Sequence, residues 1–572
     1  MAEAPRLTAE DAGCIVRVSP APAPADETRR PSPQGPWSGS GVVLSQAPGL
    51  VLCHGTIFSP FLLAAERQNW PRRKVLLADS FLPDLQIQVL LPGECSSSSS
   101  RTPSRNWPGK DTGDNIPVLR FNPLSNLHKT PSSLNLHQAQ LLVMAPCLQF
   151  QDAFSQVFRA SDQWHFGGDE AGQESGSSLA DDLPFLHCFA LLRILGCDFP
   201  RTGRVSCATA QLLRKGDPVF TCGSPFGSFC PDIFMNTLSK GIVSNTAGEG
   251  NALILTDARC LPGTEGGGVY MTSGIGFHLV GIIVAPLCWK STEWVGLTLV
   301  CAIDRILESI GSILSGPRWC LKSWTHPMEL VTTPRGMMVA REGLDQQMLA
   351  AVVLVECGPI WGSGVLVNSR LVLTCRHVVH GASSVCVRLQ PSPEKASIAK
   401  GKVVFATKDS SPYDVALVEL EESLSTFAVP VLASKFRTGE DVTIVGFGVF
   451  GRACGPSLTS GILSSVVAVH NEPVMLQATC AVHGGSSGGA LFATHSGKLL
   501  GIVASNTRDN SIGVTYPHLN FSIPITVLQP AILEYICSRS LHGFRELDRV
   551  DDRVQVVWRL QKEPVEIPLS KL

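Results

Sequence analysis

Hydrophobic residues along the chain fall mostly into short apolar runs, and turns rich in Gly, Pro and Ser separate these runs. This pattern is typical of strands. Two stretches, Ile303 to Leu314 and Ile525 to Cys537, are instead predicted to be helices, the first ending before a Gly-Pro pair. The pattern predicts an all-β chain with two strand-rich parts, each followed by a helix.

The two strand-rich parts repeat one another. Matching segments, first part against second, are 37–44 with 361–367, 216–223 with 439–446, 239–244 with 459–464, and 263–267 with 485–489. Self-similarity in the same order along both parts indicates two tandem copies of one β fold.

Changes in composition predict the division into domains. The N-terminal segment and two polar insertions have too few apolar residues to form a core. The predicted segments are a mobile N-terminal arm (1–36), a first domain (37–316) with disordered insertions near 93–115 and 161–182, a linker (317–345), a second domain (346–540) and a C-terminal tail (541–572). The pattern leaves open whether 541–566 forms a helix or a strand.

Composition argues against several classes of function. With 44% hydrophobic and 16% charged residues the chain can bury a large core, and a formal net charge of −2 argues against nucleic acid or an anionic membrane as partner. No apolar run reaches the ~18 residues needed for a membrane span. The 19 cysteines form no C-x-x-C pair, so we expect reduced thiols in an intracellular protein, without a disulfide framework, a metal or a cofactor.

A glycine-rich turn in the second part carries the candidate nucleophile. In Gly485-Ser486-Ser487-Gly488-Gly489 the glycines can adopt positive φ angles and leave room for a substrate backbone. The N–H groups of Gly485 and Ser487 can then converge on one point, which is how an oxyanion hole is built. A glycine-rich turn is weak evidence by itself, so its partners decide the prediction.

Two partners lie upstream of this turn. His377 follows a buried-strand run that starts at Leu371, and Asp414 comes just before the apolar run Val415 to Leu420. A nucleophilic serine needs a base to take its proton and an acid to orient that base. The order His, Asp, Ser differs from the Ser, Asp, His order of α/β-hydrolases, whose G-x-S-x-G motif the turn also matches. This order and the scarcity of helices argue against an α/β-hydrolase.

These motifs resemble T-A-x-H, D-x-A-L and G-x-S-G-G of the trypsin-like serine proteases. The resemblance implies two tandem chymotrypsin-like double β-barrel domains, each closed by a C-terminal helix. It also implies that His377, Asp414 and Ser487 are the catalytic triad. Ser486 stands where digestive proteases have aspartate, so the motif is closer to the Deg/HtrA branch.

The same resemblance implies a position for the S1 pocket. Its base corresponds to Ala481, and Asn506 stands in the far wall in place of a glycine. Without a carboxylate at the base, cleavage after Lys or Arg is disfavoured. We expect a small, uncharged P1 residue, cysteine included.

The first copy lacks all three roles of the triad. Glu265 stands at the nucleophile position, and Thr56 stands at the histidine position, with His54 two residues earlier. The aspartate position falls near Cys188. We therefore predict a trypsin-like first domain without catalysis.

The chain ends in Ser570-Lys571-Leu572, the tripeptide read by the peroxisomal import receptor. With the triad, this ending is similar to the family of peroxisomal leader-peptide processing proteases, related to the plant glyoxysomal processing proteases. The resemblance implies a matrix endopeptidase that removes targeting leaders from imported enzymes, including enzymes of fatty-acid β-oxidation. Since Cys95-Ser96 offers a P1 cysteine in a polar insertion, we also hypothesise self-cleavage there.

Two alternatives to a protease stay open at this point. Both copies could be non-catalytic scaffolds that bind extended peptides, or the triad could serve a serine esterase. Labelling of Ser487 by a fluorophosphonate tests the first, and comparison of ester with peptide turnover tests the second. A homo-oligomer is also compatible with the sequence.

Overall fold

The computed structural model describes most of the chain. The described residues are 7–20, 37–69, 75–93, 134–159, 163–166, 185–196, 203–227, 229–273, 276–286, 288–291, 293–314, 330–331, 342–389, 397–423, 427–509, 514–549 and 551–559. Below, the first half means the described residues up to 331, and the second half means those from 342 onward.

The first half contains two barrels of antiparallel strands. Barrel 1 is formed by Gly13–Pro20, Trp37–Ser45, Leu50–His54, Leu85–Leu91, Asn135–Pro146 and Cys188–Ile194. Barrel 2 is formed by Pro218–Gly223, Thr237–Ala247, Leu253–Thr256, Gly268–Ser273, Gly276–Ala285 and Thr298–Ala302, with the short strands Cys207–Ala208 and Leu330–Val331 at its edge. A separate small sheet consists of Trp164–Phe166, Cys288–Lys290 and Glu293–Trp294.

The second half repeats this architecture. Barrel 3 is formed by Val352–Cys357, Ile360–Asn368, Leu371–Thr374, Ser384–Leu389, Ser397–Ala406 and Ala416–Leu420. Barrel 4 is formed by Asp441–Gly446, Ser457–Val469, Glu472–Ala478, Ala490–Ala493, Leu499–Asp509 and Val514–Pro524. When the six principal strands of each barrel are numbered along the chain, their spatial order is 1-2-3-6-5-4 in all four barrels. The predicted fold class, two tandem double β-barrels, is confirmed.

Helices are short and lie mainly at the ends of the barrels. The α-helices are Ala9–Ala12, Ala64–Asn69, Leu148–Val157, Pro231–Phe234, Ile303–Leu314, Glu342–Ala350, Arg376–Val379, Gly451–Cys454, Ile525–Ser538, His542–Glu546 and Asp552–Trp558, and the 3-10 helices are Gly55–Phe61, Ala78–Ser80, Ala210–Leu212 and Glu249–Asn251. Ile303–Leu314 follows barrel 2 and buries Ile303, Ile306 and Ile310, whose spacing places them on one helix face. Ile525–Ser538 follows barrel 4 in the same way. None of the helices among the described residues is both long and apolar enough to cross a bilayer.

Two segments differ from the sequence-based expectation of disorder. Within the predicted mobile arm 1–36, Gly13–Pro20 is a strand of barrel 1 that pairs with Trp37–Ser45 on one side and Leu85–Leu91 on the other. Its apolar side chains, such as Val16, are buried in the barrel, which explains why it is ordered. Within the predicted insertion 161–182, Trp164–Phe166 is a strand.

The predicted linker and tail also contain regular structure. Leu330–Val331 pairs with Cys207–Ala208 at the edge of barrel 2, and the helix Glu342–Ala350 begins before the predicted end of the linker at 345. The sequence left open whether the tail forms a helix or a strand. The structure shows two helices there, His542–Glu546 and Asp552–Trp558. The predicted insertion 93–115 falls outside the described residues except at position 93.

The two halves share a polar interface. The partly buried Lys215 of the first half donates through Nζ to the carbonyl oxygens of Cys454 and Pro456, at 2.7 and 2.8 Å. Asp257 accepts hydrogen bonds from the backbone N–H and the hydroxyl of Ser460, at 2.6 and 2.8 Å. Burial lowers the pKa of Lys215 to about 8 and raises the pKa of Asp257. Because Lys215 Nζ and Asp257 Oδ2 make these bonds across the interface, separation of the halves would break them.

Candidate active site

The predicted nucleophile lies in a tight turn between barrels 3 and 4. Gly485 and Gly488 adopt φ angles of 90° and 83°, which side chains other than glycine rarely tolerate. The buried Ser363 of barrel 3 fixes this turn, because its hydroxyl donates to the Gly485 carbonyl at 2.8 Å and its N–H donates to the Ser487 carbonyl at 2.8 Å. The same hydroxyl accepts from the N–H of Phe447 at 2.7 Å, which connects the turn to barrel 4.

The predicted base and acid lie at the ends of neighbouring strands. Strand Leu371–Thr374 leads into the one-turn helix that carries His377, and it pairs with Ala416–Leu420, which begins two residues after Asp414. His377 Nδ1 is hydrogen-bonded to Asp414 Oδ2, and the backbone N–H of His377 donates to Asp414 Oδ1 at 3.1 Å. Two bonds to one carboxylate fix the orientation of the ring, so Nε2 is the nitrogen left to take a proton.

The environment of Asp414 favours its ionised form. Burial alone would raise the pKa of this carboxyl, but the hydrogen bonds and charge of His377 and the charge of Arg376 hold the pKa below its ordinary value. The carboxylate therefore stays negative in mildly acidic solution, where it can stabilise a protonated imidazole.

The histidine and serine segments meet at a single carbonyl group. The Cys375 thiol donates to the Val503 oxygen at 3.3 Å, and the Gly488 N–H donates to the same oxygen at 2.8 Å. Among the described residues, the hydrogen bonds of His377 run to Asp414 and none of them joins His377 to Ser487. In active sites without substrate the contact between base and nucleophile is often long and shortens in the complex.

The backbone N–H groups of Gly485 and Ser487 donate to no other described residue. They are the two groups that the sequence predicts for an oxyanion hole, and a hole must keep its donors free for substrate. At Gly485 a Cβ atom would lie 2.3 Å from the Trp361 ring and 2.7 Å from the Phe447 oxygen, so only glycine fits this turn.

The matching turn of the first half is filled by its own side chain. The Glu265 carboxylate accepts hydrogen bonds from the N–H of Gly263, at 2.7 Å, and from its own backbone N–H. These two groups correspond to the N–H groups of Gly485 and Ser487 in the second half. The carboxylate thus occupies the donors that correspond to the predicted oxyanion hole of the second half, although burial raises its pKa.

The other two roles are also absent from the first half. His54 is buried, with Nδ1 bonded to the Thr56 hydroxyl at 2.8 Å and Nε2 to the Leu186 carbonyl at 3.0 Å. Burial lowers the pKa of His54 to about 4, so the ring is neutral at ordinary pH. At the predicted aspartate position, burial raises the pKa of the Cys188 thiol well above its usual range. No ionised acid or available base therefore occupies these positions.

One of the two predicted S1 residues, Asn506, contacts a residue of the first half. Ala481 is buried, and Asn506 lies on strand Leu499–Asp509. The Asn506 amide donates to Glu293 Oε1 at 3.2 Å, and the N–H of Gly484 donates to the same oxygen at 3.0 Å. Sequence reasoning missed Glu293, because it lies 191 positions before Gly484 and belongs to no motif.

One group of potential metal ligands coincides with the candidate site. Ligand atoms of Cys375, His377 and Asp414 all lie within 4.8 Å of one another. Burial, reinforced by the charge of Asp414, raises the pKa of the Cys375 thiol well above its usual range, and the thiol donates to the Val503 carbonyl. A neutral thiol is a poor metal ligand, so these residues fit a hydrogen-bonded site better than a metal site.

Some predicted residues cannot be placed. Cys95, Ser96 and the terminal Ser570, Lys571 and Leu572 lie outside the described residues. The described cysteines are free thiols.

Comparison with known proteins agrees with the geometry of the second half. The family described as "Trypsin-like peptidase domain" matches residues 362–502, and the chain is a serine endopeptidase of this class. It is 48% identical to the "Peroxisomal leader peptide-processing protease" of Mus musculus, covering 99% of this chain and 98% of the mouse protein. The protein of the same name from Homo sapiens is 47% identical with the same coverage. The chain therefore belongs to the peroxisomal leader peptide-processing protease family, and it is a peroxisomal enzyme.

A more distant relative matches only part of the chain. A "Probable periplasmic serine endoprotease DegP-like" of Buchnera aphidicola is 29% identical over 188 residues, which cover 30% of this chain and 37% of that protein. The predicted similarity to the Deg/HtrA branch agrees with this match.

Proposed function

We propose that this enzyme removes N-terminal targeting leaders from imported peroxisomal precursor proteins, using Ser487, His377 and Asp414. The observation that best supports this proposal is the hydrogen-bonded pair of His377 and Asp414, together with the N–H groups of Gly485 and Ser487, which donate to no described residue. The contrast with the first half strengthens it, because the matching donors there are occupied by Glu265.

In the proposed mechanism, Ser487 Oγ attacks the carbonyl carbon of the scissile peptide while His377 Nε2 accepts the hydroxyl proton. The carbonyl oxygen becomes negative and accepts hydrogen bonds from the N–H groups of Gly485 and Ser487. His377 then gives its proton to the leaving amine, and an ester joins the leader to Ser487. Water, deprotonated by His377, hydrolyses this ester and restores the hydroxyl. Asp414 keeps the proton on Nδ1 of the imidazole throughout.

The proposal extends to specificity, self-cleavage and import. Ala481 and Asn506 form a shallow pocket that accepts a small, uncharged P1 residue, cysteine included. The same preference directs self-cleavage to the bond between Cys95 and Ser96. The terminal tripeptide 570–572 binds the import receptor, and the substrates include enzymes of fatty-acid β-oxidation.

The experiment that tests the proposal is incubation of a leader-bearing peroxisomal precursor with the enzyme, followed by sequencing of the new N-terminus. We expect one cut at the leader junction, after a small uncharged residue, with wild type and none with Ser487→Ala. A cut after Lys or Arg would contradict the pocket assignment. Turnover of esters but not of any precursor would favour an esterase, and absence of fluorophosphonate labelling would favour a non-catalytic scaffold.

A further inference from the structure

A hairpin of the first half reaches the candidate site of the second half. Strands Cys288–Lys290 and Glu293–Trp294 form this hairpin, and the outer strand Trp164–Phe166 pairs with it. Glu293 lies next to its tip. Its Oε1 atom accepts from the Gly484 N–H and from the Asn506 amide, so one carboxylate oxygen joins the proposed oxyanion turn to the proposed S1 wall.

We propose that Glu293 is a positioning residue for the reaction: it holds the Gly484–Gly485 peptide in the orientation that aims the Gly485 N–H at the oxyanion. This inference rests on the proposed roles of Gly485 and Ser487. It assigns a task to the inactive half, which supplies one of the supports of the oxyanion hole in the active half.

The turn needs such a support on its exposed side. Gly484 is exposed and is followed by another glycine, and a Gly-Gly pair has wide conformational freedom. On one side the Gly485 carbonyl is held by the Ser363 hydroxyl. On the other side the Gly484 N–H is held by Glu293. The peptide group that carries the Gly485 N–H lies between these two bonds, so loss of either would allow it to rotate.

The residue before the nucleophile gives no comparable support. It is Ser486, whereas digestive proteases of this fold have aspartate there. The long side chain of Glu293 brings one oxygen within reach of both the Gly484 N–H and the Asn506 amide, and this oxygen accepts from the two donors together. Glu293 therefore provides from a distant part of the chain a carboxylate that the turn itself lacks.

The hairpin is firmly docked beside the turn. Trp294 packs edge-on against His518, with ring centroids 5.5 Å apart. A Cβ atom at Gly296 would lie 2.8 Å from Pro517 and 3.3 Å from Ala481, so the first-half backbone runs directly over the predicted S1 base. The Pro517 carbonyl in turn accepts from the N–H of Val482 at 2.9 Å, which fixes the segment leading into the turn.

The test compares three substitutions at one position in the full-length chain. Glu293→Gln keeps an oxygen acceptor at the same reach without the charge, Glu293→Asp keeps the charge but shortens the reach, and Glu293→Ala removes both. If hydrogen bonding positions the turn, we expect kcat on a leader-bearing precursor to fall about ten- to a hundredfold in Glu293→Ala and Glu293→Asp. Glu293→Gln should stay within about threefold of wild type, because an amide oxygen accepts the same bonds.

Further measurements separate positioning from folding and from the proposed mechanism. The rate of Ser487 labelling by a fluorophosphonate should fall in parallel with kcat, because the phosphoryl oxygen of the probe needs the same N–H donors. The melting temperatures of the three variants should not follow the order of their kcat values. Glu249→Ala, at an exposed position of the first half, is the matched control and should resemble wild type. Unchanged kcat in Glu293→Ala would overturn the inference, and so would activity in Glu293→Asp but not in Glu293→Gln. Persistent activity of Ser487→Ala would instead refute the proposed mechanism.

Discussion

An Asp414→Asn chain should lose about 10⁴-fold in kcat on a leader-bearing precursor, and Ser487→Ala should lose at least as much. The reason lies in the two bonds between Asp414 and His377. An asparagine cannot hold the proton on Nδ1 as a carboxylate does, so the imidazole places it on Nε2 and can no longer accept the Ser487 proton. The measurement is kcat at saturating precursor, from quantified product bands.

Asp409→Asn is the matched control for this prediction. Asp409 lies five residues earlier, is fully exposed and contacts Arg376 at 3.4 Å without touching His377. Exposed ion pairs contribute little, so this variant should keep near wild-type activity. Retention of more than about a tenth of wild-type kcat by Asp414→Asn would contradict the assignment of the acid.

Gly485→Ala should lower kcat by about 10²- to 10³-fold, which is the effect of losing one oxyanion donor. The methyl group would lie 2.3 Å from the Trp361 ring and 2.7 Å from the Phe447 oxygen, and the φ angle of 90° is unfavourable for alanine. The turn must then rotate, and the N–H of residue 485 moves away from the oxyanion. Steady-state kinetics and fluorophosphonate labelling both report this loss.

Gly439→Ala separates this effect from backbone strain. Gly439 has nearly the same φ angle, 86°, but a Cβ atom there would meet nothing within 4 Å. Both variants therefore carry a similar strain from the positive φ angle, of order 1–3 kcal/mol, and only Gly485→Ala adds a steric clash that disturbs the turn. Equal losses of activity in the two would show that reduced stability, and not the oxyanion hole, explains the result.

Local sequence patterns were sufficient for the fold and for most of the candidate site. Short apolar runs gave the strands, the repeat gave two copies of one β fold, and the resemblance to trypsin-like proteases gave the double barrel of each copy. His377 and Asp414 could be found because each follows or precedes an apolar run, and the structure pairs the two strands concerned, with Thr374 opposite Ala416. Such residues can be identified from the sequence without knowing which distant residues they contact.

Features that depend on distant contacts were not predictable. Trp164–Phe166 follows a polar segment, and its order comes from pairing with Cys288–Lys290 and from the Trp164 ring stacked 5.2 Å from Phe450 of the second half. Glu293 has a role only because the fold places it beside Gly484. Similarly, the sequence showed that Glu265 replaces a nucleophile, but not that its carboxylate accepts hydrogen bonds from the Gly263 N–H and from its own N–H.

The strand order of barrel 1 has a consequence for a chain nicked at Cys95-Ser96. This bond lies between Leu85–Leu91 and Asn135–Pro146, which are adjacent strands with Ile87 opposite Ala139. A nick would leave four strands of the barrel on the short fragment and two on the long one. Backbone hydrogen bonds between the strands would still hold the two fragments together. The fragments would therefore co-elute from a size-exclusion column and separate only under denaturing conditions. Proteolysis at this bond would change the connectivity of the chain but leave the barrel folded.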